Sequence, residues 1–278
     1  MAKKSAQTSF FSLPAELRLQ IATYALDQPV DAGFELRSAD ATQINHYPQL
    51  GPGSPIGLVG LIMAGPYSPG GAYSPAANLS LLLVCRQFRL EFTELAWRST
   101  TFFLGINKST RDKRAMAGGV PEGRLCMLRK VAIYSPPWDD IVRWGQWPFD
   151  AECVRLERLS FVMVIGLSDI AQFVRLLRRL QNVKQLKFIS QSDAEQQAKF
   201  RNTYNQLIGA IMKEDHYQRY DASGAPHVGD VWWEWSFNDV EKSFLLVAEK
   251  PAPVIPEEEY LQFMKPRIDV LMADMARE

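Results

Sequence analysis

The chain has 278 residues, 47% hydrophobic and 11% aromatic, which excludes a disordered chain and allows one large domain or two modest ones. Its formal net charge is zero, which argues against binding nucleic acid or a membrane by charge alone. The charge is uneven, because residues 1–190 carry 22 basic and 15 acidic side chains whereas residues 191–278 carry 9 and 16. This imbalance is a mild indication of internal docking or of a charged partner.

Neither a membrane span nor a secretory signal is predicted. The longest nearly apolar run, residues 56–65, is about half of the ~20 residues that a span needs. The first twelve residues lack the apolar core of a signal peptide. The cysteines, Cys85, Cys126 and Cys153, are far apart and odd in number, which favours buried thiols in a reducing compartment. We therefore expect a cytoplasmic or nuclear protein.

The first predicted element is a helix over residues 10–26, after a disordered N-terminus at 1–9. Pro14 suits the first turn, where the missing N–H costs little, and Glu16 lies near the positive end of the helix dipole. Its predicted apolar face comprises Leu13, Leu17, Ile21, Tyr24 and Ala25.

A segment rich in Pro, Gly and Ser follows over residues 43–78 and predicts an irregular loop insertion. Tyr-Ser-Pro occurs twice in it, at 67–69 and 73–75. One interpretation is a tolerated insertion, since the entropic cost of a loop grows only with the logarithm of its length. The other is a phosphorylation segment that uses Ser68 and Ser74.

A second helix is predicted over residues 79–97, followed by a short strand at 100–104. The helix repeats apolar residues at the spacing of one face, and that face includes Cys85, which we therefore expect to be buried and inert. The predicted face comprises Leu81, Val84, Cys85, Phe88, Phe92 and Leu95.

A repeat of apolar residues at positions 1, 4 and 6 recurs at offsets of 28 and 27 residues. This spacing is typical of the short strand in a leucine-rich-type unit. A helix capped by Ser168 or Asp169 separates the second and third copies, so we expect parallel strands joined by crossovers. The copies are Leu128-x-x-Val131-x-Ile133, Leu156-x-x-Leu159-x-Phe161 and Val183-x-x-Leu186-x-Phe188.

The C-terminal part predicts a further helix around residues 200–211 and a hairpin of residues 231–237 and 243–249. A final helix starts at Pro256, and Pro266 is expected to kink or divide it. The predicted fold class is α/β. Two N-terminal helices precede an irregular leucine-rich-repeat-like β/α array at 105–278, which a hairpin and a helix close.

The sequence carries no established catalytic, metal or cofactor motif. The histidines, His46, His216 and His227, are scattered, and Cys-x-x-Cys, Gly-x-Ser-x-Gly and phosphate-binding glycine motifs are absent. We therefore predict no enzyme, no metal and no cofactor. A deep polar pocket holding His216 or His227 beside a carboxylate would favour an enzyme instead.

Two further clusters have alternative interpretations. A basic cluster, with Lys184 and Lys187 nearby, is either a solvated helix face or a contact for an acidic partner or for the acidic C-terminal third. A tryptophan cluster is either core packing or a recognition surface, since Trp is enriched at binding hot spots. The clusters are Arg175, Arg178 and Arg179, and Trp232, Trp233 and Trp235.

Residues 10–104 resemble the F-box, and in particular the fungal F-box-like proteins in which Leu-Pro-x-Glu-Ile-Arg begins the domain. In those proteins a Val-Cys-Arg helix and a Phe-containing strand follow. The matching residues are Phe11-x-Leu13-Pro14-x-Glu16-Leu17-Arg18-x-x-Ile21, Leu82-Leu83-Val84-Cys85-Arg86-Gln87-Phe88 with Glu91, and Thr101-Phe102-Phe103.

The resemblance implies a helical module that docks on the linker subunit of an SCF-type cullin–RING ubiquitin ligase, with a C-terminal domain that holds a protein substrate. The expected function is a non-enzymatic adaptor. The alternatives are a stand-alone protein-binding or effector-like protein that keeps the fold without the ligase, or internal packing of the same side chains. The predicted linker-binding residues are Leu13, Pro14, Leu17, Ile21, Val84 and Phe88.

Overall fold

The computed structural model describes the helices, the strands and most of the chain after residue 154. The described residues are 9–26, 79, 81–104, 124, 126–134, 154–162, 169–189, 194–239 and 242–276. Several predictions lie outside them: the N-terminus at 1–8, the 43–78 loop with Ser68 and Ser74, and those made for His46, Cys153 and Ser168.

Five α-helices and six strands form the described part of the chain. The helices are α1 (Ala15–Leu26), α2 (Arg86–Ser99), α3 (Ile170–Arg179), α4 (Ala194–His216) and α5 (Glu257–Met275). The strands are β1 (Thr101–Leu104), β2 (Lys130–Tyr134), β3 (Arg158–Val162), β4 (Gln185–Ile189), β5 (Trp232–Asn238) and β6 (Ser243–Glu249). Short 3₁₀ turns at Phe10–Ser12 and Leu81–Leu83 precede α1 and α2, and a π-turn at Tyr217–Asp221 extends α4.

The strands make one mixed sheet in the order β1-β2-β3-β4-β6-β5. Strands β1 to β4 are parallel, whereas β6 is antiparallel to both β4 and β5. The α/β class is therefore confirmed, and the predicted hairpin is present as β5 and β6. The hairpin extends the parallel sheet directly, because β6 pairs with β4.

The three copies of the apolar repeat occupy equivalent positions in neighbouring strands. Leu159 of β3 is the register partner of Val131 of β2 and of Leu186 of β4. Phe161 is likewise paired with Ile133 and Phe188. Side chains two apart on a strand point to the same face, so the repeat produces rows of apolar side chains across the sheet.

Helix α3 covers these rows. Asp169 caps it by accepting a hydrogen bond from the Gln172 N–H at 2.9 Å, as predicted. The Phe173 ring meets the Phe188 ring edge-on at 6.0 Å between centroids, and the Trp233 indole N–H donates to the Leu177 carbonyl at 2.8 Å. The buried side chains of α3, α4 and α5 join the strands in the main core.

A second, smaller core lies within the N-terminal helices. Its buried members are Ala22, Leu26, Leu82, Phe92 and Ala96. Trp97 and Leu79 pack against both cores. The Trp97 ring stacks on Phe102 of β1, with ring centroids 5.0 Å apart, so α2 is joined directly to the edge of the sheet.

The apolar face predicted for α1 is not the face that packs against α2. The buried residues of α1 are Ala22 and Leu26, whereas Leu17, Ile21 and Tyr24 are exposed. Small Ala22 lets α1 approach α2 closely, and the larger side chains are left on the outer side.

Two cysteine predictions are also corrected, and of the two outcomes predicted for Pro266 the structure excludes division of the helix. Cys85 precedes α2 and caps it, because its Sγ accepts a hydrogen bond from the Phe88 N–H at 3.3 Å. It is half-buried, and Cys126 is exposed. Helix α5 continues through Pro266 without being divided.

Candidate functional site

The two N-terminal helices are held together by a polar contact between the two halves of the sequence motif. The Arg18 Nε donates to the Glu91 carboxylate at 2.8 Å, and the same guanidinium donates to the Leu13 carbonyl. Both charged side chains are more than two-thirds buried. This contact fixes α1 on α2 and also fixes the turn that leads into α1.

An aromatic cluster completes the internal packing of this module. The Phe88 and Phe92 rings lie 4.6 Å apart between centroids. Phe10, which precedes α1, lies 5.9 Å from Phe88 and 6.1 Å from Phe92. Phe88 is therefore half-buried inside the module and belongs to its structure as much as to any outer surface.

A group of large apolar side chains on α1, α2 and the turn before α2 faces solvent. Of the predicted linker-binding residues, Leu17 and Ile21 are each 46% exposed and Val84 is 70% exposed. Pro14 is exposed too, whereas Leu13 and Phe88 are half-buried. We call the following exposed set the N-terminal apolar surface: Pro14, Leu17, Ile21, Leu83, Val84 and Leu90.

Two members of this surface were not predicted from the sequence. Leu83 is 81% exposed and Leu90 is 74% exposed. Leu90 lies off the apolar stripe of α2, and Leu83 lies in a 3₁₀ turn that was predicted as α-helix. Leu90 could have been identified from the sequence because it is apolar but lies outside the apolar periodicity of α2.

Part of the second predicted surface is not available to a partner. Arg178 donates to the Asp215 carboxylate at 3.1 Å and is largely buried. Trp232 and Trp233 are buried. Trp232 lines the cavity described below, and Trp233 packs against α3, where its indole N–H donates to the Leu177 carbonyl. Arg175 and Arg179 are exposed and Trp235 is half-buried.

A cavity of about 260 Å³ lined by both charged and apolar side chains lies between β5, the end of β6, the end of α4 and α5. Trp232, Tyr260 and Phe263 contribute aromatic walls, and Glu249 and Lys250 contribute charges at the strand end. On one side Arg267 donates to the Glu234 carboxylate at 2.6 Å and lies over the Phe263 ring at 4.5 Å.

The inner wall of this cavity is a buried network centred on Asp215. One carboxylate oxygen accepts from Arg219 Nε and from the Tyr260 hydroxyl, each at 2.7 Å, and the other accepts from Arg178. Arg219 also donates to the carbonyls of Ala252 and Pro253. These three partners come from α3, from the π-turn that follows α4 and from α5, so the network holds these elements together.

Burial raises the pKa values of three tyrosines, which are Tyr204, Tyr220 and Tyr260. Burial raises the pKa of Tyr260, and the Asp215 charge beside its hydroxyl raises it further. Burial also raises the pKa of Tyr204, which lies in the main core. The Tyr204 hydroxyl has no hydrogen-bond partner among the described residues.

Neither described histidine lines the cavity. His216 lies at the end of α4, with Nε2 3.0 Å from the Glu257 carboxylate and Nδ1 3.3 Å from Asp221. His227 is exposed. In the described part of the chain no three His, Cys, Asp or Glu side chains form a group that could hold a metal ion.

None of the helices in the described ranges is both long and apolar enough to cross a membrane. The chain matches no family model, no curated protein and no solved structure.

Proposed function

We propose that the chain is a non-enzymatic, F-box-like adaptor whose N-terminal apolar surface docks on the linker subunit of an SCF-type ubiquitin ligase. One observation carries the proposal: Leu17, Ile21 and Val84, three residues of the sequence motif, are exposed although they are large and apolar. Exposed apolar patches mark protein-binding sites, and these residues lie on α1 and just before the start of α2, two helices that pack against each other.

The exposed side chains are not needed for the stability of the module itself. Its own core is formed by Leu26, Phe92 and Ala96 with their neighbours, and the Arg18–Glu91 contact fixes the two helices. A helix has about 100° of apolar face to share between core and partner. On α1 small Ala22 serves the core, so Leu17 and Ile21 remain for a partner.

The array of parallel strands supports the second half of the proposal, which is a leucine-rich-repeat-like domain that holds the protein substrate. Repeated positions such as Val131, Leu159 and Leu186 are register neighbours. These rows are buried in the core, but stacked repeats of this kind also form extended outer surfaces that are suited to binding a protein partner.

The experiment is titration of the purified chain with the purified linker subunit at micromolar concentrations. We expect a complex with the wild-type chain and loss of binding by at least about tenfold for Leu17→Asp combined with Val84→Asp, because charges are costly in an apolar interface. Val254→Asp combined with Leu261→Asp, at exposed apolar sites outside the module, is the matched control and should bind normally. A wild-type chain that gives no complex rejects the adaptor role.

A stand-alone protein-binding role is the second candidate function. It is favoured by a separate set of exposed apolar side chains on α5, including Leu261, Ile268 and Met272. In that case the wild-type chain would not bind the linker subunit, and substitutions on α5, but not at Leu17 and Val84, would impair its interactions.

A further inference from the structure

Helix α5 has a second apolar face besides the one that it packs into the core. Its core face consists of Tyr260, Met264 and Leu271, which are buried. Another set of large apolar side chains on the same helix stays exposed to solvent. We call this set the α5 stripe: Leu261, Ile268, Met272 and Met275.

The spacing of the α5 stripe places its members in one line along the helix. They occupy positions i, i+7, i+11 and i+14, which at about 100° per residue fall within about 60° of one another. The stripe is about 21 Å long, because each residue adds about 1.5 Å along the helix axis. Apolar residues that recur seven positions apart are typical of a helix that packs lengthwise against another helix.

Two charged side chains beside the α5 stripe have opposite signs. Lys265 and Asp269 are exposed and four residues apart, so they lie on the same side of the stripe. Neither forms an ion pair with a residue in the described ranges. By contrast, Arg267 of the same helix pairs with Glu234 at 2.6 Å. Lys265 and Asp269 are therefore the charges that a second helix on the stripe would meet.

This arrangement is self-complementary when two copies of α5 run antiparallel. A two-fold axis that reverses the helix places the same side of each helix against the same side of the other. The midpoint between Lys265 and Asp269 is position 267, and the stripe from Leu261 to Met275 is centred on position 268. An antiparallel pair centred there aligns the two stripes and also sets Lys265 of each copy beside Asp269 of the other.

A parallel pair of α5 helices would lack this match. It would set Lys265 against Lys265, and it would bring together the acidic starts of both helices, residues 257–259. Like charges side by side repel each other. In the antiparallel pair the two acidic starts lie about 30 Å apart along the helix axis, so the charge pattern favours the antiparallel arrangement.

We propose that the chain forms an antiparallel, two-fold symmetric dimer in which the α5 stripe packs against the α5 stripe of a second copy. Such a dimer uses the same patch on both chains, as the shared centre of the stripe and of its flanking charges requires. The contact is at the low end of interface areas, so we expect a weak dimer with a dissociation constant of roughly 1–100 μM. The zero net charge of the chain does not oppose its self-association.

This inference goes beyond the proposed function and does not depend on it. The proposed linker-binding residues belong to α1, α2 and the turns before them, so the variant with Leu17→Asp and Val84→Asp should still form the dimer. Variants of the α5 stripe should in turn still bind the linker subunit. A failure of one measurement therefore does not imply a failure of the other. A dimer would cover the α5 side chains that favour the stand-alone role, and would remove that argument for it.

The test is sedimentation equilibrium of the full chain at total concentrations from about 1 to about 100 μM. We expect a monomer–dimer equilibrium that is weakened by at least about tenfold in Met272→Asp, because a charge is costly in an apolar contact. The matched control is Val270→Asp, since Val270 lies on the opposite side of α5 and is 56% exposed, close to the 58% of Met272. This control should stay within about twofold of wild type. Thermal unfolding of each variant verifies the fold.

Charge reversal tests the antiparallel alignment itself. Lys265→Asp and Asp269→Lys should each weaken the dimer by about threefold or more, because each sets like charges side by side at two places in the symmetric pair. The double variant restores opposite charges at both places. Its dissociation constant should therefore return to within about twofold of wild type.

Three results would overturn the proposal. The first is a chain that stays monomeric over the whole concentration range, which would leave the α5 stripe to a different protein partner. The second is equal dimer affinity in Met272→Asp and Val270→Asp. The third is a double charge variant that dimerises as weakly as the single variants, which would exclude the antiparallel alignment.

Discussion

Arg18 of α1 and Glu91 of α2 are 73 residues apart in sequence, and their side chains meet at 2.8 Å. Arg18 belongs to the first half of the N-terminal sequence motif and Glu91 to the second. The contact gives both residues a structural role, because it joins two helices that are far apart in sequence. The motif therefore encodes a tertiary contact as well as two helix starts.

Breaking this contact should weaken the N-terminal module. We expect Arg18→Ala and Glu91→Ala each to lower the free energy of unfolding by about 1 kcal/mol, since the pair is partly buried but still reached by solvent. A double-mutant cycle by urea denaturation measures the coupling. The exposed Arg98–Glu94 pair within α2 is the control and should couple by about 0.3–0.5 kcal/mol. Additive effects at Arg18 and Glu91 would show that the contact does not stabilise the module.

The inner and outer faces of the module should respond differently to truncation. Phe92 is 1% exposed, so Phe92→Ala should cost about 3–5 kcal/mol through lost burial and a cavity. Leu17 is half-exposed, so Leu17→Ala should cost about 1 kcal/mol or less. Chemical denaturation followed by circular dichroism measures both. A large loss for Leu17→Ala would place that residue in the core and contradict its assignment to a partner-binding surface.

The strands were predictable because their pattern is local and strict. A repeat at positions 1, 4 and 6 places apolar side chains on one face of a strand. Neighbouring parallel strands must align these side chains to form a common core, which fixes the register of Val131, Leu159 and Leu186. The Asp169 cap was predictable for the same reason, since it depends on residues three positions apart.

The surfaces were less predictable because burial depends on the partner element. Periodicity identifies an apolar stripe on α1 but not whether α2 covers it, and the structure places Ala22 rather than Leu17 at that contact. The sequence likewise does not show which charged side chains find a partner in the fold. Arg178 and Arg179 are equivalent in sequence, yet only Arg178 reaches Asp215, which lies 37 positions away.

Two buried tyrosines should show opposite effects when the hydroxyl is removed. Tyr204 has a buried hydroxyl without a described partner, and such a group costs about 1–3 kcal/mol, so Tyr204→Phe should stabilise the chain by about 1 kcal/mol. The Tyr260 hydroxyl donates to Asp215 at 2.7 Å, so Tyr260→Phe should destabilise it by about 1–3 kcal/mol. Parallel urea titrations at neutral pH measure both. A destabilising Tyr204→Phe would indicate a hydrogen bond to its hydroxyl.

Both tyrosines should also make the folded chain less stable at alkaline pH, through their ionisation in the unfolded state. Burial raises the pKa of Tyr204 and of Tyr260 in the folded chain, whereas the unfolded value is about 10. Below that pH both states keep the proton, so the contribution to stability is complete. Above it the unfolded state loses the proton first, so the free energy of unfolding falls by up to about 1.4 kcal/mol per pH unit for each tyrosine. Guanidinium midpoints from neutral pH to about pH 11 measure the slope, which should be shallower in Tyr204→Phe and in Tyr260→Phe. An unchanged slope in both variants would contradict the raised pKa values.

Pro266 should be the least favourable residue of α5. The helix continues through it, but proline has no N–H to donate to the Gln262 carbonyl and its ring crowds the preceding turn. The ring is exposed, so Pro266→Ala should remove this cost and stabilise the chain by about 2 kcal/mol, after allowing for the greater freedom of alanine in the unfolded state. Thermal and urea unfolding measure the gain, and Lys265→Ala, at the exposed neighbouring position, is the control and should change stability by less than about 0.5 kcal/mol.

A loss of stability in Pro266→Ala would contradict this prediction. Tyr260 and Leu271 are both buried on either side of Pro266, so a loss of stability would mean that a bend at Pro266 is what brings both residues onto the core.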